Sequence, residues 1–394
     1  MRFLPTLLAA SAALAAPILE AVSEKIPGEW IVVLKPDASA DAVRSSILTA
    51  RGTKHKATYA LGSFRGFKLS AADDQIAAIA KLAEVAYIEP DQVIRTSALK
   101  TQRNATWGLA RLSSREPGAA DYVYDDSAGE GTYAYVIDSG IYTAHPDFEG
   151  RASFGATFAD DEDESDRNGH GTHVAGTIGS ATYGVAKKTE LIAVKVLGEG
   201  GTGNLSNIIE GLDWVVNDAI SKGRIGKSVV NISLGAPRLG NSLNEAAAAA
   251  VAAGLFLSVA AGNSGWPATL YTPASEPTVC TVGAADDTDA ETEWSNYGGP
   301  VDVLAPGANI TSTWIDGGAK VLSGTSMAAP HVAGLAAYLL ALEGEQDPVA
   351  LCEFIKELAT RDVVKNARSN AILAFNGASL RNATEDLEHL YRGN

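Results

Sequence analysis

The sequence predicts an α/β protein with a mostly parallel, doubly wound sheet, preceded by a small α+β domain. Two patterns carry this prediction. From about residue 107 short apolar strands alternate with helical stretches, and residues 29–94 follow a β-α-β-β-α-β order. With 394 residues and 46% hydrophobic side chains, the chain can bury the cores of two folded units.

The first residues have the pattern of a secretory signal. Arg2 precedes an apolar run that ends in small residues at Ala15 and Ala16. The run is shorter than the roughly 20 residues that a membrane-spanning helix needs. We therefore expect residues 1–15 to be removed as a signal peptide and the protein to be secreted to the extracellular space. No later segment is expected to have the length and apolarity of a transmembrane helix.

The predicted small domain comprises residues 29–94. Its strands are EWIVVLK, KATYAL, RGFKLS and VAYIEPDQVI, and its helices are ADAVRSSILTAR and DDQIAAIAKLAE. This order predicts two helices on one face of an antiparallel sheet. The following stretch, TSALKTQRNAT, has no strong period and is predicted to be a linker.

The larger domain is predicted from its apolar strands. YAYVID, LIAVKVL, SVVNISL and LFLSVAAG are separated by helical stretches, the pattern of a mostly parallel sheet. The alanine-rich run 246–254 is in helical register and predicts a buried helix. Residues 377–394 are charged and are predicted to be a tail, either a surface helix or a frayed end.

Charge is unevenly distributed along the chain. The net charge is −16, but residues 17–99 carry ten basic and ten acidic side chains, so the acidic excess lies in the larger domain. Nucleic acids and anionic membranes bind basic faces, so neither is an expected partner. The acidic run from Asp160 to Asp166 could hold a cation, but a solvated loop is the preferred interpretation.

Cys280 and Cys352 are the two cysteines of the chain. An exported chain meets an oxidising compartment, where one disulfide between them is the simplest outcome. Closing a loop of about 70 residues contributes about 4 kcal/mol by chain entropy, as an upper figure.

Two motifs place an acid and a histidine at the ends of predicted elements. Asp138 ends the apolar strand of AYVIDSG, where open α/β sheets form their sites, although a strand-terminal Asp also caps turns. NGHGTHVAGTIGS places His170 and His173 on one face at the start of a helix. A zinc pair lacks an obvious third ligand, so we interpret His170 as a general base and His173 as a structural histidine.

Two further motifs supply a nucleophile and an amide. In SGTSMAAPHVAG, Gly324 permits a tight turn and Ser326 begins a long apolar helix. At this helix start the backbone N–H of Ser326 can donate a hydrogen bond to an oxygen on which negative charge develops. A simple N-cap serine is the alternative, and His331 is interpreted as a packing residue. Asn263 follows the apolar strand of LSVAAGN and either forms a turn or donates to an oxyanion.

The strings YVIDSGI, GHGTHVAGT, AAGN and SGTSMAAPHVAG, in this order, resemble the four signature segments of the subtilisin-like serine proteases. WGLARLSS, YGVAKKTE, YTPASEPTVCTVGA and SNYG resemble the proteinase K branch. The resemblance covers about residues 107–376, and residues 29–94 look like the inhibitory propeptide of the family. That branch usually has a cysteine in place of Val174 and a second disulfide, which two cysteines cannot form.

The resemblance implies a subtilisin-type sheet and a catalytic triad. Asp138 is expected to orient His170, which takes the proton of Ser326 as this serine attacks the peptide carbonyl. Asn263 and the Ser326 N–H are expected to hold the oxyanion; in subtilisin, losing the corresponding amide costs about 2.7–4 kcal/mol. The implied function is that of a secreted, monomeric serine endopeptidase that acts on proteins through an acyl-enzyme.

The resemblance also implies domains and substrate contacts. Residues 16–99 are expected to be an inhibitor and folding propeptide and residues 100–376 the peptidase domain, with self-cleavage between about Ala98 and Gln102. Protein and peptide substrates, with an apolar or aromatic residue before the cut, are expected to bind to small uncharged residues: Gly201, Gly203, Ser233, Leu234, Gly235, Ala260, Ala261 and Gly262.

One structural cofactor, Ca²⁺, is implied by the resemblance, and none for catalysis. Pro277, Val279 and Asp302 match positions that supply two backbone carbonyls and a carboxylate, the hard oxygen ligands that calcium prefers. A turn with a capping Asp is the alternative interpretation.

Two other functions are alternatives to the peptidase. GEGGTG at 198–203 has the form G-x-G-x-x-G between a strand and a helix, but VVNISLGAP lacks the acidic residue of a dinucleotide site. A catalytically silent binding protein is expected to lack a triad member, and none is missing. The sequons lie at Asn104, Asn204, Asn231, Asn309 and Asn382, of which Asn382 in the tail is the expected glycan carrier.

Overall fold

The computed structural model of the chain describes residues 15–19, 25–36, 38–39, 43–45, 47, 53–92, 99–161 and 164–378. It divides into two units, Met1–Thr96 and Ser97–Asn394, with the boundary inside the segment predicted to be a linker. The signal sequence before Ala15, most of the first predicted helix and Asn382 lie outside the described residues.

The first unit contains a four-stranded antiparallel sheet. Its described elements are β1 Lys25–Leu34, β2 Lys54–Leu61, β3 Phe64–Ser70, α1 Asp73–Ile79 and β4 Val85–Gln92. The strands lie in the order β2-β3-β1-β4, and residues 43–45 and 47 are helical. Val32, Phe67, Ile76 and Ile88 are buried in its core. The predicted β-α-β-β-α-β order is therefore found in the described residues.

The second unit combines short strands with longer helices. Its strands are β5 Leu99–Gln102, β6 Tyr122–Asp125, β7 Tyr133–Asp138, β8 Ala152–Thr157, β9 Glu190–Lys195, β10 Ser228–Ile232, β11 Ala236–Pro237, β12 Phe256–Ala260, β13 Tyr271–Thr272, β14 Cys280–Ala285, β15 Val303–Pro306, β16 Ile310–Thr313, β17 Ala319–Leu322, β18 Thr360–Arg361 and β19 Ile372–Leu373. Its helices are α2 Trp107–Ser113, α3 His170–Gly179, α4 Leu205–Ser221, α5 Ser242–Ala252, α6 Thr325–Glu343 and α7 Pro348–Leu358.

The central sheet has nine strands in the order β18-β19-β15-β14-β12-β10-β7-β9-β8. From β19 to β8 every neighbouring pair is parallel, and β18 pairs with β19 in the antiparallel sense. The inner strands are almost entirely buried, as expected where both faces of a parallel sheet are covered. The predicted fold class is confirmed.

Helices cover both faces of this sheet. Ala134 and Val136 of β7 belong to a core cluster with residues of α3 and α6, whereas Tyr135 and Ile137 belong to a second cluster with residues of α4 and α5. The side chains of successive strand residues point to opposite faces of the sheet, so one apolar strand contributes side chains to both cores. The alternation of strand and helix in the sequence has produced a doubly wound sheet.

Helix α6 is long and apolar enough to cross a membrane. The expectation that no later segment has this length and apolarity is wrong. Most of its apolar stretch, 83%, is buried inside the protein, and a helix surrounded by protein needs apolar residues on all sides. In the part of the chain that the structure describes, it is the one helix with these properties.

Part of the predicted linker is a strand. Leu99–Gln102 pairs antiparallel with Tyr122–Asp125, with Leu99 opposite Asp125 and Gln102 opposite Tyr122. Four residues are too few to show a period, and the pairing depends on a partner that comes later in the chain. The prediction of a linker without periodic structure is therefore wrong for these residues.

The predicted disulfide between Cys280 and Cys352 is confirmed. Cys280 begins β14 and Cys352 lies in α7, so the bond ties the central sheet to this helix. Both half-cystines are buried.

Three strands bring candidate site residues to one edge of the sheet. Asp138 ends β7, Ser233 directly follows β10, and Ala260 ends β12. These strands are parallel, so their carboxyl ends lie at the same edge, where open α/β sheets form their binding crevices.

Candidate active site

Asp138 and His170 are joined by short hydrogen bonds. Asp138 is fully buried, and its two carboxylate oxygens lie 2.8 and 2.9 Å from Nδ1 of His170. Oδ1 of Asp138 also accepts from the backbone N–H of Ser139 at 2.7 Å. A carboxylate can only accept, so Nδ1 of His170 carries the proton and Nε2 of the neutral ring is left as a base.

His170 has a raised pKa. Burial lowers the pKa of this imidazole, but the charge of Asp138 and the hydrogen bonds to it more than offset burial, with a further contribution from Asp166. The net pKa lies above the ordinary value of about 6.5. The site therefore stabilises the imidazolium, the form that a general base reaches when it has taken up a proton.

Asp166 organises the start of α3, and sequence reasoning missed it. Oδ1 accepts from the N–H groups of Asn168 and Gly169, and Oδ2 accepts from the N–H and the hydroxyl of Thr172. Asp166 is 4% exposed because it satisfies donors that a helix start leaves unpaired. The solvated-loop interpretation is wrong for this residue. No local spacing distinguished Asp166 from the other acids of the run, because it lies three residues before the N-cap Gly169.

His173 and His331 are neutral packing histidines. Burial lowers the pKa of each to about 4. Nε2 of His173 lies 3.0 Å from the carbonyl oxygens of Ile310 and Lys320, and Nδ1 of His331 lies 2.8 Å from the Met327 carbonyl. Each of these nitrogens donates to a carbonyl and is not available to a metal. Of the two histidines of the zinc alternative, His173 is therefore bound at Nε2 by backbone carbonyls, and His170 is bound at Nδ1 by Asp138.

Ser326 lies in the first turn of α6, two residues after the N-cap Gly324. Its Oγ donates to the carbonyl oxygen of Ser233 at 3.0 Å. Any transfer of the hydroxyl proton from Ser326 to another group requires this bond to break. Hydrogen bonds of this kind commonly rearrange when substrate binds.

Asn263 is oriented by Thr325, a contact that sequence reasoning missed. Oδ1 of Asn263 accepts from the N–H of Thr325 at 2.8 Å and from its hydroxyl at 2.9 Å. Both bonds are to the amide oxygen, so the NH₂ group of Asn263 points away from Thr325. A Cβ placed on Gly324 would lie 3.4 Å from Nδ2 of Asn263 and 3.6 Å from the backbone N of Ser326. Both nitrogen atoms therefore lie near the space beside Gly324, as does Oδ1 of Asn263 at 3.8 Å.

A cavity of about 500 Å³ contains His170, Asn263 and Ser326 in its lining. The predicted substrate residues Gly203 and Ala261 do not line it, whereas the other six do. Within the described part of the chain its walls contain no Asp, Glu, Lys or Arg. The full lining is Asn168, His170, Leu197, Gly201, Ser233, Leu234, Gly235, Pro237, Ala260, Gly262, Asn263, Ser264, Tyr271, Thr272, Thr325 and Ser326.

The loop predicted as an alternative dinucleotide motif contributes to this cavity through Gly201. Gly262, which also lines the cavity, has a φ of 105°, which glycine adopts readily. A Cβ there would lie 2.3 Å from Nδ2 of Asn296, whose amide donates to the Ala261 carbonyl at 2.9 Å. Gly262 is therefore required both by its backbone conformation and by the close approach of Asn296.

Asp302, the carboxylate of the expected calcium site, lies beside the disulfide. Its Oδ2 accepts from the N–H of Thr281 at 2.9 Å, and its Oδ1 lies 3.6 Å from Nζ of Lys356. Burial raises the pKa of Asp302. Among the described residues, the three ligand-type atoms found within 4.8 Å of one another belong to Cys280, Asp302 and Cys352, and the disulfide removes both thiols as ligands. A metal here depends on oxygen ligands, which suit calcium.

Comparison with known proteins gives two family matches. Residues 129–378 match the Subtilase family, and residues 29–97 match the peptidase inhibitor I9 family. The first match covers the strands and helices that carry Asp138, His170, Asn263 and Ser326. The second covers the small antiparallel domain.

Individual relatives give the same result. Proteinase T of Parengyodontium album is 54% identical over 293 residues, covering 74% of this chain and 98% of that protein. The cuticle-degrading protease of Metarhizium anisopliae is 44% identical over 385 residues, covering 96% and 98%. The solved structure of a cold adapted subtilisin-like serine proteinase matches with a TM-score of 0.66 and 40% identity over 69% of this chain and 98% of that one. The chain therefore belongs to the subtilase family and is a serine endopeptidase of the proteinase K branch, with an inhibitor I9 propeptide domain.

Proposed function

We propose that Asp138, His170 and Ser326 are the catalytic triad of this endopeptidase. The observation that carries the proposal is that Asp138 holds Nδ1 of His170 at 2.8 Å while His170 and Ser326 line one cavity. In acylation the Ser326 Oγ–carbon bond forms, the peptide C–N bond breaks, and His170 transfers the serine proton to the leaving amine. In deacylation water forms the new bond to the acyl carbon, the Ser326 Oγ–carbon bond breaks, and His170 passes the proton taken from water to Oγ of Ser326.

Asn263 and the Ser326 N–H are proposed to bind the oxyanion during both steps. The support is the convergence of Nδ2 and the backbone N beside Gly324. Thr325 acts as a positioning residue because its two bonds to Oδ1 hold the amide in the donating orientation. Donors that are fixed before the reaction need no reorganisation when charge develops.

Covalent labelling tests the triad. A fluorophosphonate should form a single adduct on Ser326, located by mass spectrometry of the digested enzyme. The Ser326→Ala and His170→Ala variants should lose labelling, whereas a chelator should not abolish it at once. An adduct on another residue, or labelling that survives in Ser326→Ala, would overturn the assignment.

We propose that the cavity receives the residue before the scissile bond and prefers apolar or aromatic side chains. Gly201, Ser233, Leu234, Gly235, Ala260 and Gly262 contribute small uncharged groups to its wall. A Lys or Arg side chain finds no carboxylate in this lining, so desolvation of its charge is uncompensated. Gly203 and Ala261 are proposed to act through their backbone in the segments that hold the wall.

The small domain is proposed to be an inhibitor and folding propeptide, residues 16–99, released by self-cleavage between about Ala98 and Gln102 from a peptidase domain of residues 100–376. The pairing of Leu99–Gln102 with β6 favours a cut at the start of this window, because a later cut requires the strand to unpair. A tethered segment also has a high effective concentration at the active site. Residues 1–15 are proposed to direct secretion, and the processed enzyme is proposed to act as a monomer.

A calcium ion is proposed to bind Asp302 with the backbone carbonyls of Pro277 and Val279. The support is the burial of Asp302, which raises the pKa of its carboxyl although Nζ of Lys356 lies 3.6 Å away, so a divalent cation would stabilise the charged form further. Asn382 is proposed as the glycan site. Asn231 is fully buried and its amide donates to Ser233, which leaves no room for a glycan in the folded chain.

A further inference from the structure

Pro330 lies inside helix α6, four residues after Ser326. In an α-helix each carbonyl accepts from the N–H four residues later, and proline has no N–H. The carbonyl of Ser326 therefore has no donor at the position where a helix normally supplies one. This carbonyl belongs to the residue that carries the nucleophilic Oγ, so its position affects the geometry of the reaction.

Ser233 supplies a donor to this carbonyl. Its Oγ lies 2.8 Å from the carbonyl oxygen of Ser326, and Ser233 is 3% exposed. A carbonyl can only accept, so the Ser233 hydroxyl proton is committed to this bond. The bond replaces the helical hydrogen bond that Pro330 removes.

Asn231 orients the Ser233 hydroxyl. It lies on β10, is fully buried, and its Nδ2 donates to Oγ of Ser233 at 2.8 Å. With the amide reversed, its oxygen would compete with the Ser326 carbonyl for the single proton of Ser233. The orientation with Nδ2 on Ser233 is therefore the one in which both bonds can form.

We propose that Asn231 and Ser233 are positioning residues for the nucleophile. A relay from the Asn231 amide through the Ser233 hydroxyl to the Ser326 carbonyl fixes the first turn of α6, which carries both Ser326 Oγ and the Ser326 N–H. The relay couples this turn to β10, whose following residues form one wall of the cavity. The role rests on the proposed assignment of Ser326 as nucleophile.

A double-mutant cycle tests the relay through Pro330. Ser233→Ala removes the donor, and Pro330→Ala restores a backbone N–H that can serve the Ser326 carbonyl. We expect Ser233→Ala alone to lower kcat by about tenfold or more, with KM changed by less than about threefold. In the Pro330→Ala background the same substitution should lower kcat by less than about threefold. Full-length precursors are expressed, and the processed enzymes are normalised by active-site titration.

Ser258→Ala is the matched control. Ser258 Oγ also donates to a carbonyl of α6, that of Ala329, at 2.8 Å, and Ser258 is fully buried. The residue four positions after Ala329 is Ala333, which has an N–H, so this carbonyl retains a helical donor. Ser258→Ala should lower thermal stability without a tenfold loss of kcat, and its effect should be the same with and without Pro330→Ala.

Three results would overturn the relay. These are equal kcat losses for Ser233→Ala with and without Pro330→Ala, a loss confined to KM, or the same coupling to Pro330→Ala for Ser258→Ala. If Ser233→Ala yields no folded enzyme, Asn231→Asp tests the relay from its other end. This nearly isosteric change replaces the donor with an acceptor that draws the Ser233 proton away from Ser326. It should lower kcat and be relieved by Pro330→Ala; a loss unaffected by Pro330→Ala would also contradict the relay.

The pH profile separates positioning from proton transfer. The relay does not touch His170, so the pH at half-maximal kcat/KM should be the same in Ser233→Ala and in the wild type. A shift of that pH would indicate that Ser233 acts on the base and would overturn a role confined to the nucleophile.

Discussion

Nζ of Lys356 lies 3.6 Å from Oδ1 of Asp302, the carboxylate proposed to bind calcium. Lys356 also lies 2.7 Å from Oε1 of Glu353, and the two acids together raise the pKa of the lysine above its ordinary value despite burial. The buried charge of Asp302 thus has an internal cation beside it. Calcium must displace this ammonium group, which can keep Glu353 as its partner.

Calcium should stabilise the processed enzyme, and Lys356→Ala should enlarge the effect. Free calcium at a hundred times its Kd adds about 2.7 kcal/mol to the free energy of unfolding. This corresponds to a rise in Tm of about 5–10 °C for a domain of this size. Calorimetry with added calcium or EDTA measures the increment, which Asp302→Ala should abolish. Lys188→Ala, which removes a lysine of a surface ion pair, is the control and should leave the increment unchanged. Equal melting temperatures with calcium and EDTA in the wild type would contradict the site.

The pH dependence should reflect the raised pKa of His170. The protonated ring cannot accept the serine proton, so kcat/KM should rise with pH and reach half its maximum above about pH 6.5. In Asp138→Asn burial is no longer opposed by the carboxylate, so this pH should fall while kcat drops by about 10⁴-fold. Initial rates on an uncharged peptide ester measure both. A profile that falls between pH 6 and 8 would be incompatible with a histidine base.

Gly324→Ala should disable the oxyanion site while leaving the fold intact. The added methyl lies at ordinary contact distance from Nδ2 of Asn263 and the N of Ser326, so it occupies the space of the oxyanion without a clash. We expect kcat to fall by about 10²–10³-fold, as for loss of an oxyanion donor. Gly240→Ala, at an exposed glycine that has no positive φ and no atom within 4 Å of an added Cβ, controls for added volume on the surface. Unchanged kcat in Gly324→Ala would contradict this placement of the oxyanion.

Peptides that differ only in the residue before the cut should reveal an apolar preference. We expect kcat/KM for Phe or Leu to exceed that for Lys or Asp by about tenfold or more, because the cavity offers no charge partner. Ala at the same position measures the contribution of apolar contact alone. Strict cleavage after Lys or Arg would show that a carboxylate outside the described lining reaches the substrate.

Processing should depend on Ser326. The Ser326→Ala precursor should accumulate uncut after secretion in a host without other proteases, whereas the wild type should appear as a separate propeptide and enzyme. Gel electrophoresis and amino-terminal sequencing measure this, and the new terminus should lie between Leu99 and Gln102. Cleavage of Ser326→Ala at the same bond and rate would require a separate maturase.

The sequence predicted those features whose signal is contiguous. Asp138, His170 and Ser326 each lie in a short string whose apolar strand, glycine turn or helix start is visible in isolation. The parallel sheet followed from the alternation of such strings. Their order along the chain then indicated the family.

Features that depend on distant partners could not be predicted. The bond between Thr325 and Asn263 spans 62 residues, and no spacing indicates which group of Thr325 forms it. Asp166 was hidden among acids of which the described ones, Asp160, Asp161 and Glu164, are exposed. The strand at Leu99–Gln102 acquires its structure from β6, and Lys356 reaches Asp302 only because α7 packs near the disulfide.

The pairing of Leu99–Gln102 with β6 affects how readily aminopeptidases can degrade the processed enzyme. If the cut falls at the start of this strand, the newly created α-amino group is followed at once by residues whose backbone is engaged in a ladder. Aminopeptidases need several extended, unpaired residues at the terminus that they trim. The processed enzyme should therefore resist the removal of residues one by one from its amino terminus in a medium rich in exopeptidases. Its lifetime there should depend on internal cleavage of the peptidase domain and not on the end that processing exposes.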